Sequence, residues 1–425
     1  MDGYSYLKDM GVDQRIIELS RAAEAEIYPA YERADHIAEY NQLKVLSAMQ
    51  KQKLSDAHFA GTTGYGYNDL GREALENIYA GVFKAESALV RPQLISGTHA
   101  LTVALSGNLR YGDEILSAAG KPYDTLEAVI GIRPARGSLA EYGVGYRQAD
   151  LTDGRINFDN IFRNITPKTR LALIQRSKGY DWRRSLTNNE IRSVVEAVKN
   201  TRRDIICLVD NCYGEFADYY EPVEMGADLA VGSLIKNPGG GLAPVGGYIV
   251  GKAEYVENAA SRLTAPGLGK EAGPTLGITQ ALAQGLFMAP QAVNGAMKAA
   301  VFASRLFEAL GYETLPASGE ARADIVQAIK FGSPEKVLSF CGGIQKAAPV
   351  DSFALPEPWG MPGYDAPVVM AAGAFVQGAS IELSADAPMK APYIAYLQGG
   401  LTWFHAKAGI IIAVDHMLKD GLLNF

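Results

Sequence analysis

Hydrophobic positions follow two different rhythms along the chain. From Asp13 to about Leu54, Ile16, Ile17, Ala23, Ile27, Tyr31, Ala34 and Ile37 recur at helical spacing with charged residues between them. That pattern predicts an amphipathic helix, kinked or divided at Pro29. It reads as an oligomer arm, or as a helix packed on its own subunit. Beyond a Gly/Thr loop at 60–68, a second helix starts near Asp69. Short, almost wholly apolar runs then alternate with amphipathic stretches. Strand, turn and helix follow one another at 88–109 and again at 113–131. A strand covers 169–175, a helix 189–202, and an apolar strand from 205 ends in Asp210. Two more strands lie at 227–236 and 246–251. Strands apolar on both faces predict a mostly parallel sheet flanked by helices, an α/β fold. After a Gly/Pro-rich loop at 263–277 come helices to about Leu310 and then shorter elements. The domains expected are an N-terminal helical arm at 1–60, a large domain at 61–310 and a small C-terminal α+β domain at 311–425.

Composition narrows the classes. With 48% hydrophobic and 20% charged residues over 425 positions, the chain has the make-up of a globular protein with a large core. A net charge of −7, without Lys/Arg runs, argues against nucleic acid as a partner. The N-terminus lacks a signal-peptide pattern and no long apolar run is present, so neither export nor a membrane is expected. The 3 cysteines fit reduced thiols in a cytoplasmic setting. Their spacing and that of the histidines suits no metal site.

Candidate chemistry collects at strand ends, where open α/β sheets place ligands. "SGTHAL" (Ser96–Leu101) is a strand-to-helix turn, able either to cap a helix or to cradle a phosphate on backbone N–H groups. Tyr123, in "GKPYDT", is a turn tyrosine or a stacking aromatic. Asp210 is a carboxylate at the end of an apolar strand, which requires a partner. Lys236 follows "GADLAVGSLI" and precedes three glycines, Gly239 to Gly241, read as clearance for a bulky ligand. Desolvation at such a place should lower a lysine's pKa and leave a nucleophilic amine. Pyridoxal phosphate (PLP) needs a lysine, a carboxylate for its ring nitrogen, a phosphate cradle and often an aromatic. An amino acid is then the expected substrate.

"SGTHAL", "GDEIL…KPYDTLE", "LVDNCYGEF…EMGADLAVGSLIKNPGGG" and "QGASIELSADAP" resemble the family related to cystathionine and methionine lyases whose members are often labelled aluminium-resistance proteins. The resemblance implies an aspartate-aminotransferase-like fold (PLP fold type I), PLP as cofactor, carbon–sulfur lyase activity and a homotetramer built from dimers. It makes Lys236 the cofactor-bearing lysine, Asp210 the ring-nitrogen partner and Tyr123 the stacking tyrosine. Ser96, Gly97, Thr98 and Ser233 become phosphate contacts, and Tyr65 a residue reaching the phosphate of a neighbouring subunit. The chain departs from the pattern twice. Tyr67 stands where relatives carry an arginine, and "QGASIELSADAP" lacks the arginine that holds the substrate carboxylate. Arg176 or Lys178, in "IQRSKGY", could substitute. Elimination rests on the resemblance alone. The same parts can serve an aminotransferase, and a non-catalytic binding protein on this scaffold remains a third reading.

Overall fold

A computed structural model describes residues 2–360, 364 and 366–423. Seven strands form the large sheet: β1 (Ser87–Arg91), β2 (Glu114–Ser117), β3 (Gly145–Gln148), β4 (Thr169–Gln175), β5 (Ile206–Asp210), β6 (Leu229–Ser233) and β7 (Gly247–Gly251). Their order is β1-β7-β6-β5-β4-β2-β3. Only β7 runs antiparallel to its neighbours, β1 and β6. The other adjacent pairs are parallel. Strands β5, β6 and β7 are buried throughout. The near-continuous apolar runs of the sequence reflect that: both faces are covered, so no polar alternation is possible. One face packs on the helices Gly97–Asn108 and Ala253–Leu263, through Leu101, Val103 and Ala259. The other packs on the helix Asn188–Thr201, through Ile191, Val194 and Val198.

β3 was not foreseen. It is short, half-exposed and polar at the sheet edge, so it carries little hydrophobic signal. The small sheet has order β10-β11-β12-β9-β8, with β8 (Glu313–Leu315), β9 (Gln327–Lys330), β10 (Val368–Ala371), β11 (Ser384–Pro388) and β12 (Ile394–Gln398). It is antiparallel throughout and packs on the helices Pro334–Lys346 and Trp403–Lys419.

The chain divides into two compact units: residues 1–39 with 289–425, and residues 40–288. These limits differ from the expected boundaries at 60 and 310. The N-terminal helix breaks at Ile27, and Pro29 sits in the first turn of the next helix, Tyr28–Lys51, where its missing N–H costs nothing. Up to Glu39 this segment is part of the core of the first unit, not a free arm. Ile16, Ile17, Ile27 and Tyr31 are buried in one cluster with Phe302, Phe307 and Ile410. Asp415 accepts from the backbone N–H of Asp13 at 2.8 Å, and Lys407 pairs with Glu24 at 3.1 Å.

Candidate active site

The second unit gathers most of the foreseen residues at the carboxyl ends of β5 and β6. Ser96 caps the helix Gly97–Asn108 by accepting from His99 N–H at 3.1 Å. Gly97 and Thr98 are the first two residues of that helix, whose N–H groups have no partner within it. A side chain on Gly97 would come within 3.4 Å of Cys212 Sγ and of Ser233 Cβ, so this turn lies against the ends of both strands. The hydroxyls of Thr98 and Thr125 are 2.8 Å apart, which ties the turn to the one carrying Tyr123. Tyr123 is half-buried. Its ring lies 6.2 Å from that of Tyr180, and a side chain on Gly179 would touch it at 3.4 Å.

Asp210 is buried, and its Oδ1 accepts from Cys212 N–H at 3.2 Å. Burial pushes its carboxyl up, while the Lys236 ammonium beside it and the Cys212 N–H pull it down; burial prevails. Lys236 follows β6 and places Nζ 3.9 Å from the ring centroid of Tyr213. Burial lowers its amine, but Cys212, Tyr213 and Asp210 around it raise it by more. The sequence predicts the opposite sign, because it shows the desolvation and not the neighbours. Burial also holds the Cys212 thiol well above its ordinary range, so that thiol is neutral at pH 7.

Arg176 is fully buried behind this group. Its backbone N–H donates to Asp210 O at 3.1 Å and its Nη1 to Asn211 Oδ1 at 2.7 Å. A side chain on Gly214 would fall 2.4 Å from its Cδ. Asn211 in turn donates to Glu221 at 3.0 Å and to Tyr248 at 3.3 Å. Arg176 thus braces the segment after Asp210 through Nη1, while its Nε and Nη2 are buried without a hydrogen-bond partner among the described residues. Lys178 is buried too, with its backbone N–H on Ser185 Oγ at 3.1 Å. Both side chains are thus enclosed in the second unit. In "QGASIELSADAP" the carboxylate of Glu382 accepts from the N–H groups of Phe375 and Val376 at 2.9 and 3.0 Å.

Tyr65 and Tyr67 are exposed and stacked on each other at 5.5 Å. Their loop is zipped to 273–276 through Gly273 N–H to Tyr65 O at 2.9 Å and Leu276 N–H to Thr62 O at 3.1 Å. The glycines after Lys236 serve the backbone. A side chain on Gly239 would fall 1.8 Å from Leu234 O, and Gly240 and Gly241 take φ values of +53° and +79°.

Four residues of this site were not read from the sequence: Cys212, Tyr213, Glu215 and Tyr248. The density of polar residues in "DNCYGEF" was the available signal. Tyr213 and Phe216 both have positive φ (73° and 61°), a conformation that survives only under strong tertiary constraint. Asn237 supplies part of it, donating to Tyr213 O at 3.0 Å and Glu215 O at 2.9 Å. Glu215 is buried and accepts from Tyr248 OH at 2.8 Å. Burial pushes its carboxyl up to about 8. The folded protein therefore holds a proton there that the unfolded chain releases above its ordinary value of 4.5. The stability conferred is fully present below that value and is lost as pH rises towards about 8. Each pH unit in that window weakens the fold by roughly 1.4 kcal/mol. Glu215→Gln should flatten this slope, as read by urea unfolding at several pH values.

This arrangement on a mainly parallel sheet, in a chain that also carries a small antiparallel sheet, defines the fold of PLP-dependent enzymes. The PLP-dependent protein YhfS of Escherichia coli shares it at a TM-score of 0.60 and 17% identity, over 90% of this chain and 96% of that one. The methionine gamma-lyase family model matches residues 16–418, and the chain belongs to that family of carbon–sulfur lyases. The uncharacterized protein YnbB of Bacillus subtilis is 50% identical over 94% of this chain and 96% of its own. The structure of a carbon–sulfur lyase involved in aluminium resistance, from Clostridium novyi, is 50% identical with a TM-score of 0.93, covering 97% of this chain and 98% of that one.

Proposed function

We propose that the protein is a PLP-dependent lyase that cleaves the carbon–sulfur bond of a cystathionine-, cysteine- or methionine-type amino acid. β- or γ-elimination would release a thiol, ammonia and a 2-oxo acid. The supporting observation is the Asp210–Lys236 pair set against the Gly97 turn and Ser233. These residues fit the cofactor, since the Gly97 turn brings the open N–H groups of a helix N-terminus up against Ser233, close enough for a Cβ on Gly97 to be in contact with Ser233 Cβ at 3.4 Å. When bound, PLP supplies an electron sink for a carbanion at the substrate Cα.

The protein's residues do the rest. Gly97 and Thr98 N–H and the Ser233 hydroxyl hold the phosphate at a helix N-terminus. Tyr123 covers the ring. Asp210 keeps the ring nitrogen protonated. With Asp210 so engaged, one of the groups that raise the Lys236 amine would be withdrawn from it, and the burial that lowers the amine would count for more. That amine anchors the cofactor and then takes the Cα proton. Tyr65 completes the phosphate site of a neighbouring subunit in a homotetramer (dimer of dimers), with Tyr67 beside it. The free thiols of Cys207, Cys212 and Cys341 suit a cytoplasmic setting, and no described helix is long and apolar enough to cross a membrane.

Incubating the PLP-loaded protein with cystathionine, cysteine and methionine tests the reading. Pyruvate reports β-elimination and 2-oxobutyrate γ-elimination. A 2-oxo acid formed only when an amino-group acceptor is added, without thiol, would replace the lyase reading with an aminotransferase.

A further inference from the structure

In the first unit one cation stands apart. Arg322 lies in the segment leading into β9, and its Nε, Nη1 and Nη2 are all buried without a hydrogen-bond partner among the described residues. Three carboxylates surround it, those of Asp324, Glu308 and Glu320. Each is committed elsewhere. Asp324 accepts from Val326 N–H at 3.1 Å, and Glu320 from Ala317 N–H at 2.9 Å. Glu308 accepts from Ser318 N–H at 2.7 Å and from the hydroxyls of Ser304, Thr314 and Ser318. They act on its charge without bonding to it and leave the donors of the guanidinium open. A buried, unbonded guanidinium is costly, and burial lowers its pKa to about 10. The same end of the small sheet, where β9 and β11 begin and β12 ends, carries further open atoms: Gln327 Oε1 and the hydroxyls of Ser380 and Ser384.

We propose that Arg322 forms a binding site for a small carboxylate in the first unit. The planar fork of donors matches the two oxygens of a carboxylate. The three acidic neighbours disfavour a dianion such as phosphate, because each adds repulsion that a monoanion feels half as strongly. The site takes the carboxylate of a small molecule bound within the first unit. It rests on Arg322's own surroundings and not on the lyase reading.

Calorimetric titration of the full-length, PLP-loaded protein with propionate, glycine and inorganic phosphate tests the proposal. Propionate and glycine should bind the wild type, and Arg322→Gln should weaken both at least tenfold, with Arg322→Lys recovering part of the loss. Phosphate should not bind through Arg322. Melting in carboxylate-free buffer separates binding from architecture: Arg322→Met removes an unbonded buried cation, so its Tm should hold or rise. Unchanged carboxylate binding in Arg322→Gln, phosphate binding that depends on Arg322, or a fall in the Tm of Arg322→Met would overturn the site. Carboxylate binding by a protein that cleaves no sulfur amino acid would keep the site and remove the lyase reading.

Discussion

Replacing Lys236 with alanine should lower kcat/KM for elimination by about four orders of magnitude, the upper range for a general base. The residue has two tasks, anchoring the cofactor and moving the Cα proton, and no described neighbour offers another amine to Asp210: Arg176, behind it, is a guanidinium already bonded to Asn211. Borohydride reduction followed by peptide mapping checks the first task, because the wild type should yield a cofactor-modified peptide containing Lys236 and the variant none. Lys236→Arg should behave like the alanine variant in this assay despite keeping the charge, since a guanidinium stays protonated. A cofactor adduct elsewhere on the chain, with activity retained in Lys236→Ala, would remove the assignment.

Arg91→Ala should reduce the free energy of unfolding by about 3 kcal/mol, the lower end of the range for breaking a buried ion pair. Arg91 and Glu76 are both buried and meet at 2.7 Å. Nη1 of Arg91 donates to Ala272 O at 2.6 Å and Nη2 to Lys270 O at 2.7 Å, so the side chain also pins the Gly/Pro loop. Without it Glu76 keeps Lys270 at 3.3 Å as its remaining cation, which places the loss at the lower end. Arg72 is a second clamp on that loop, donating to Gly273 O at 3.0 Å and Glu271 O at 3.1 Å. The loop should therefore loosen rather than detach. Limited proteolysis should show new cleavage at 264–276, and urea unfolding should show the shifted midpoint. Glu76→Gln, which keeps the shape and removes the charge, should also destabilise, because Arg91 is then buried without its anion. A wild-type midpoint in Arg91→Ala would mean that the carbonyl contacts carry no net stability.

That loop shows what local composition misses. Its glycines and prolines suggest a segment free to approach a ligand or to move, yet two buried arginines far away in sequence hold its carbonyls. Arg176 teaches the same lesson. In the sequence it is a cation after a strand, available for a substrate. In the fold it is buried against Asn211 and Gly214 with only Nη1 bonded, and a guanidinium with all three nitrogens unbonded among the described residues belongs to Arg322, a position with no motif around it.

The sequence by itself determined the buried strands of the large sheet and the order of the chemistry. Apolar runs without alternation specify strands covered on both faces, and polar residues that interrupt such runs can only stand at their ends. Ser96, Tyr123, Asp210 and Lys236 were legible for that reason. Tertiary structure alone decided the electrostatics and the packing between distant segments. Whether burial lowers the Lys236 amine or its neighbours raise it depends on where Asp210, Cys212 and Tyr213 lie in space. The exchange of the N-terminal helices from an arm to a core element has the same origin. An amphipathic stripe records that a helix must bury one face, but not which surface covers it, because hydrophobic burial is non-directional and any apolar partner of suitable shape satisfies it.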